Sequence, residues 1–169
     1  RSGDSIGMKC VLPGTGSTFF AAGVSLVLHP VNPFAPTVHA NFRYIEHGDR
    51  RWFGGGADLT PYYFFTEDKQ HFHATWRRYC DDHPGIGDYD RFREWCDRYF
   101  YLRHRGESRG VGGIFFDQLF VDEHQPDHQG RLLGFIRTGG LTFLDAYLPI
   151  AQRRVATPYT PEQRRWQEL

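Results

Sequence analysis

At 169 residues the chain is long enough for one domain with its own core, and its 40% hydrophobic and 17% aromatic content excludes a disordered polymer. Its 20 basic residues balance 20 acidic ones, so no general field draws it to nucleic acid or to an anionic membrane. Cys10, Cys80 and Cys96 are odd in number and form no CxxC, no apolar run has the length of a membrane span, and the opening residues lack a signal-peptide pattern, so a disulfide framework, a zinc ribbon and a transmembrane segment are not expected.

Residues 1–18 are rich in Gly, Ser and Thr and read as loop. "AAGVSLVLHP" (21–30) reads as a strand with Val24, Leu26 and Leu28 on one face and Ser25, Val27 and His29 on the other. After the connection "VNPFAP", the stretch "PTVHANFRYIE" (36–46) alternates again, with Val38, Ala40, Phe42 and Tyr44 on one side and His39, Asn41 and Arg43 on the other. Strands joined by so short a loop are expected to be antiparallel, which lets Ser25 and His29 share a face with His39, Asn41 and Arg43. Such a row faces either water or a polar ligand.

"RWFGGGADLTPYYFF" (51–65) reads as a strand interrupted by a triple glycine, which implies unusual torsions or a flat neighbour just before Asp58. Residues 66–83 are predicted helical with Thr66 as N-cap, and the inward face carries His73 with Trp76 and Cys80 while His71 turns to solvent. A second helix is predicted over 88–105, capped by Asp88 and ended by Gly106, which puts His104 at its C-terminus. "GVGGIFFDQLFV" (110–121) returns to strand, and residues 131–153 form a third helix whose Gly139-Gly140 pair suggests close packing or a bend. The final "TPEQRRWQEL" carries a capping box, with Thr160 as N-cap, Pro161 first in the helix and Gln163 as the return partner. The order ββ(β)ααβα implies an α+β fold with an antiparallel sheet, one domain over 1–169, and the abrupt ends read as those of a fragment of a longer catalytic domain.

No phosphate-binding glycine motif, HExxH or HxH strand pair is present, so spacing alone gives no metal site. Arg109, beside glycines at the start of an apolar strand, suits either a ligand carboxylate or a salt bridge to Glu107 or Asp117. Together these features suit a flat organic ligand carrying several carboxylates.

"GVSLVLHPVNPFAPTVHANFRY", "WFGGGADLTPYY", "WCDRYFYLRHRGESRGVGGIFFD" and "AYLPI" resemble the oxygen-dependent coproporphyrinogen III oxidase family from about residue 19 to the end. The resemblance implies a large flat antiparallel sheet flanked by helices on both faces, and a homodimer. The implied reaction converts two propionates of coproporphyrinogen III to vinyl groups in haem biosynthesis, with O2 as oxidant and no organic cofactor. It also implies residue roles: Ser25, Asn41, Phe42 and Arg43 bind substrate, His39 donates a proton, Asp58 accepts from the pyrrole N–H groups and Arg109 holds a propionate. For bacterial members a divalent metal is implied at positions matching His29, His39, His73 and His104. Arg51, Ser108 and Gln118 depart from the pattern, Gln118 standing where a second acid is usual. The alternative readings are a non-catalytic tetrapyrrole-binding module, an inactive fragment of the enzyme, and a metal-dependent oxygenase with the histidines as iron ligands. Cytoplasm is the default location, with an organelle as the alternative.

Overall fold

The computed structural model describes residues 13–168 of the chain. Its elements are β1 (Phe19–Leu28), β2 (Thr37–His47), β3 (Arg50–Thr60), α1 (Thr66–Asp81), α2 (Tyr89–Tyr99), β4 (Tyr101–Leu102), β5 (Glu107–Ser108), β6 (Gly112–Phe120), α3 (His128–Arg154) and α4 (Pro161–Glu168). β1, β2, β3 and β6 form one antiparallel sheet in that spatial order, and β4 and β5 form a separate two-stranded hairpin. The α+β class and the antiparallel sheet agree with the expectation from sequence.

One face of the sheet is apolar and holds the core. Val38, Ala40, Ala57, Leu59, Ile114 and Phe116 pack there against Phe72, Trp76 and Tyr79 of α1 and Phe135, Ala146 and Ile150 of α3. Aromatic rings carry much of this contact: Tyr79 stacks on Phe135 with centroids 4.6 Å apart, and Phe92 of α2 meets Phe116 at 5.0 Å. α2 lies along β6 and turns the corner of the sheet, so Trp95 reaches Phe115 on the opposite face. Helical cover is thus heaviest on the apolar face, and α2 supplies the contact with the other.

Several boundaries differ from those predicted. The triple glycine does not interrupt β3 but sits within it. α1 starts at Thr66, with Phe65 in the N-cap place and no side-chain cap, because Thr66 already has helical backbone. Asp88 does cap α2, accepting from Arg91 N at 3.1 Å, but the helix stops at Tyr99 instead of running to 105. Tyr101–Leu102 pair with Glu107–Ser108 instead, and Gly106, at φ 67°, closes the turn between them. The capping box of α4 is present in both directions, Thr160 N to Gln163 Oε1 at 2.8 Å and Gln163 N to Thr160 Oγ1 at 3.3 Å.

Gly139 meets the close packing expected of the α3 glycine pair. A Cβ there would lie 2.8 Å from Phe42 Cε1 and from Tyr79 Oη, whereas one at Gly140 meets nothing within 4 Å. Adjacent substitutions should therefore act in opposite directions. Gly139→Val should cost about 1–3 kcal/mol by overpacking, and Gly140→Ala should add up to about 1 kcal/mol through helix propensity, both read by denaturant unfolding.

Candidate active site

Alternation along antiparallel strands delivers the polar side chains to the face opposite the core. In the register, His39 lies between Val27 and Asp58, Asn41 between Ser25 and Gly56, and Arg43 between Gly23 and Gly54; Gly113 and Phe115 of β6 extend the first two rows. The shared face predicted for Ser25 with His39, Asn41 and Arg43 is therefore present. His29 adjoins it just beyond β1, its Nδ1 3.4 Å from Thr37 Oγ1.

Two charge clusters stand on this face. In the first, Asp58 is 1% exposed and is held by two partners. His39 Nδ1 lies 2.9 Å from Asp58 Oδ1, and Arg109 donates to the same carboxylate in a fork, Nε to Oδ2 at 2.9 Å and Nη2 to Oδ1 at 2.7 Å. A carboxylate can only accept here, so the network assigns a proton to His39 Nδ1, and Nε2 has no hydrogen-bond partner among the described residues. Phe100 shelters the cluster: its ring lies 3.7 Å beneath the Arg109 guanidinium carbon and meets the His39 ring edge-on at 5.7 Å.

The second cluster is centred on Arg43. Its Nη1 donates to Asn41 Oδ1 at 2.6 Å and its Nη2 to Asp117 Oδ2 at 2.8 Å. Arg43 and Asp117 sit on strands separated by β3, and they meet above Gly54. A Cβ at Gly54 would lie 2.5 Å from Asp117 Oδ1 and 2.9 Å from Arg43 Nε. Part of the triple glycine thus exists to let an ion pair cross a strand. Tyr99 and Phe115 stack nearby, centroids 4.2 Å apart.

Several residues singled out in the sequence stand elsewhere or do something else. Phe42 points to the core face, as its place between Asn41 and Arg43 demands, so only its main chain adjoins the polar row. Arg109 pairs with Asp58, whereas Glu107 pairs with Arg105 at 2.8 Å and Asp117 with Arg43. Asp58 is buried and accepts through both oxygens, Oδ1 from His39 and Arg109 and Oδ2 from Arg109. His71 bonds the carbonyl of Asp145 at 2.9 Å instead of turning to solvent alone. Arg51 reaches Glu123 at 2.6 Å, away from the site, and Gln118 is exposed with φ 52°.

The four histidines matched to metal positions do not form a ligand set. His73 spends both ring nitrogens, Nδ1 on Tyr89 Oη at 2.7 Å and Nε2 on the Val111 carbonyl at 2.9 Å. His104 lies exposed in the turn between β4 and β5, not at a helix end. Among the described residues no group of three or more His, Cys, Asp or Glu is placed to hold a metal ion. These residues do not fit the group. Cys80 and Cys96 are free and buried, and burial pushes the Cys80 thiol up to about 12 and raises that of Cys96 as well, which leaves both inert as nucleophiles. Cys10 lies outside the described residues. An apolar cavity of about 490 Å³ lies against α3, lined by Leu26, Phe42, Phe53, Leu133 and Phe143 on the other face of the sheet.

The sequence profile described as coproporphyrinogen III oxidase matches residues 7–169. The chain belongs to the coproporphyrinogen III oxidase family. It is 48% identical over 160 residues to the oxygen-dependent coproporphyrinogen-III oxidase, chloroplastic, of Glycine max, covering 89% of this chain and 40% of that protein. It is 47% identical over 161 residues to the protein of the same name from Hordeum vulgare, covering 89% of this chain and 39% of the relative. The chain thus spans about two fifths of the length of these curated relatives.

His73 gives the site's surroundings a pH dependence. Burial is the main cause that lowers its pKa below the ordinary 6.5; the Val111 carbonyl raises it in part, while Arg93 and Lys69 lower it further. The unfolded chain then binds more protons than the folded one in the window below 6.5, so the contribution of neutral His73 is present above that pH and fades as pH falls through the window. Denaturant unfolding between pH 8 and 5 should show wild type losing more stability on acidification than His73→Gln.

Proposed function

We propose that this chain carries the substrate-holding and proton-transferring part of a coproporphyrinogen III oxidase, acting on the propionates of coproporphyrinogen III with O2 as oxidant and no organic cofactor. The observation that carries the reading is the Arg109–Asp58–His39 cluster, a buried carboxylate that fixes an imidazole with one nitrogen free on an open polar face. Family membership and the names of the two plant relatives support the same reaction.

Each turnover is balanced as propionate, O2 and a proton going to a vinyl group, CO2 and hydrogen peroxide. The porphyrinogen pyrroles are electron-rich, so loss of an N–H proton prepares the ring to give electrons to O2. His39 Nε2 is the base placed to take that proton and, once protonated, the acid that returns it to the reduced oxygen. Asp58 keeps the imidazole in the tautomer that leaves Nε2 free and balances the charge it gains. Arg109, pinned on Phe100, holds Asp58 in place. Asp58 and Arg109 are on this account positioning residues. Arg43, Asn41 and Ser25 face the substrate, with the remaining donors of the Arg43 fork available to a propionate. No step is assigned to His29, His73 or His104.

Assembly with a second copy belongs to this reading, and Leu133, Leu141, Leu144 and Leu148 stand exposed along α3 as apolar surface for it. Both relatives are named chloroplastic, which favours an organelle over the cytoplasm. No helix among the described residues is long and apolar enough to cross a membrane.

Incubation of the protein with coproporphyrinogen III in air should yield vinyl product with equal amounts of CO2 and hydrogen peroxide, and none of these anaerobically. Binding without aerobic turnover would reduce the chain to a tetrapyrrole-binding module. His39→Ala should lower kcat by about 10²–10⁴. Asp58→Asn should lower kcat and shift the pH–rate profile with KM little changed, because it disturbs the imidazole and not a substrate contact. Wild-type turnover by His39→Ala would remove the proposed acid–base role.

A further inference from the structure

His73 and Tyr89 take no part in the polar row, yet they touch the segment that delivers Arg109 to it. His73 stands on α1, and Tyr89 opens α2, where it is buried. Tyr89 Oη lies 2.7 Å from His73 Nδ1, and His73 Nε2 lies 2.9 Å from the Val111 carbonyl. A carbonyl only accepts, so Nε2 carries the ring proton and Nδ1 accepts from the phenol. The two rings meet edge to face with centroids 6.3 Å apart. The Arg77 guanidinium, paired with Asp90, lies over the Tyr89 ring at 4.1 Å.

Val111 is two residues beyond Arg109, between β5 and β6. Its N–H donates to the Leu59 carbonyl at 2.9 Å, and Leu59 follows Asp58 on β3. Arg109 N donates to the Phe100 carbonyl at 3.3 Å. Gly110, between the two, has a φ of 60°, and a Cβ there would lie 2.2 Å from the same Leu59 oxygen. The segment is thus pressed onto β3, and the Val111 carbonyl is taken by α1. Both halves of the Arg109–Asp58 fork are fixed from one place: β3 carries the carboxylate, and the His73 tie holds the arginine's backbone beside β3. With both nitrogens engaged in this way, His73 has no lone pair left for a metal.

We propose that Tyr89 and His73 are positioning residues for the reaction: Tyr89 fixes the His73 tautomer, and His73, through the Val111 carbonyl, sets the backbone from which Arg109 reaches Asp58. This rests on the functional reading above and adds to it a support supplied by two helices.

The test has two readouts, both on the full 169-residue chain. The first needs no turnover. Arg109 Nε–H donates to Asp58, so its exchange with water, followed by NMR on protein with isotope-labelled arginine, reports the fork itself. His73→Leu should speed that exchange by about tenfold or more. Tyr89→Phe should speed it less, and His73→Gln, whose amide still donates to the carbonyl, should stay near wild type. The second readout is kcat with coproporphyrinogen III in air. His73→Leu should lower it by about tenfold to a hundredfold, and the same substitution should cost nothing further in an Arg109→Ala background. Denaturant unfolding checks that each variant is folded under assay conditions; if His73→Leu is not, Tyr89→Phe, which removes only the phenol oxygen, carries both readouts. Unchanged exchange in the variants, or an equal loss of kcat with and without Arg109, overturns the inference and leaves the functional reading standing. A divalent metal that raises the unfolding midpoint of wild type and not of His73→Gln makes His73 a ligand and also overturns it. A wild-type chain with a protected Arg109 Nε–H and no aerobic turnover overturns the functional reading, and the reaction role proposed for His73 and Tyr89 falls with it.

Discussion

The arrangement depends on placing one carboxylate, Asp58, out of water. An ionised group so buried costs several kcal/mol unless its partners are well aimed. Here three hydrogen bonds from His39 and Arg109 offset that cost. Two constraints follow. The β2–β3 register must hold, because His39 and Asp58 are direct cross-strand partners and a slip of one residue would turn Asp58 into the apolar core. Arg109 must also come back over the sheet from 51 residues away in sequence. The early stop of α2 at Tyr99 and the β4–β5 hairpin perform that return, with Phe100 left at the corner as the surface on which the guanidinium rests. The short hairpin is thus a support for the buried charge.

The sheet separates two kinds of chemistry by its pleat. Side chains on one face build an aromatic core with α1 and α3, and their neighbours one residue away build the polar row. The same separation explains Phe42. Within "NFR" the outer two residues share a face and the middle one packs into the core, so a contiguous motif contributes its side chains to two different structures. A rigid apolar floor lets the polar groups keep fixed positions with little reorganisation, which is the condition for electrostatic work on a reacting ligand.

Much of this was legible in the sequence where the information was local. The alternation of 36–46 and 21–30 places Ser25, His39, Asn41 and Arg43 on one face, and the α4 capping box can be read from residue type and spacing, whereas the Gly139-Gly140 pair suggested close packing or a bend and only the fold shows that Gly139 is the crowded one. The parts that failed depend on distant partners. "YLRHR" has good helix formers, yet pairing of Tyr101–Leu102 with Glu107–Ser108 overrides that preference and moves His104 into a turn. Arg109 had two acidic candidates nearby in sequence, and took neither, because only the folded sheet brings Asp58 within reach. The pairing of Asp117 with Arg43 was hidden for a similar reason: the bulge that aims Asp117 depends on a mismatch between β3 and β6, and the gap the pair crosses is a glycine on another strand.

The balance of charge on the polar face has a further consequence. Both arginines there already face an aspartate, Arg109 with Asp58 and Arg43 with Asp117, so each pair is neutral taken alone. Such a surface gives little net attraction to an arbitrary polyanion, and the chain as a whole, with 20 charges of each sign, adds none. Selection must then come from geometry and from matching donors to acceptors. A ligand with carboxylates alone meets Asp117 beside the arginine it needs and is opposed by it. A ligand that carries both a hydrogen-bond donor and a carboxylate can engage both halves of the Arg43–Asp117 pair at once.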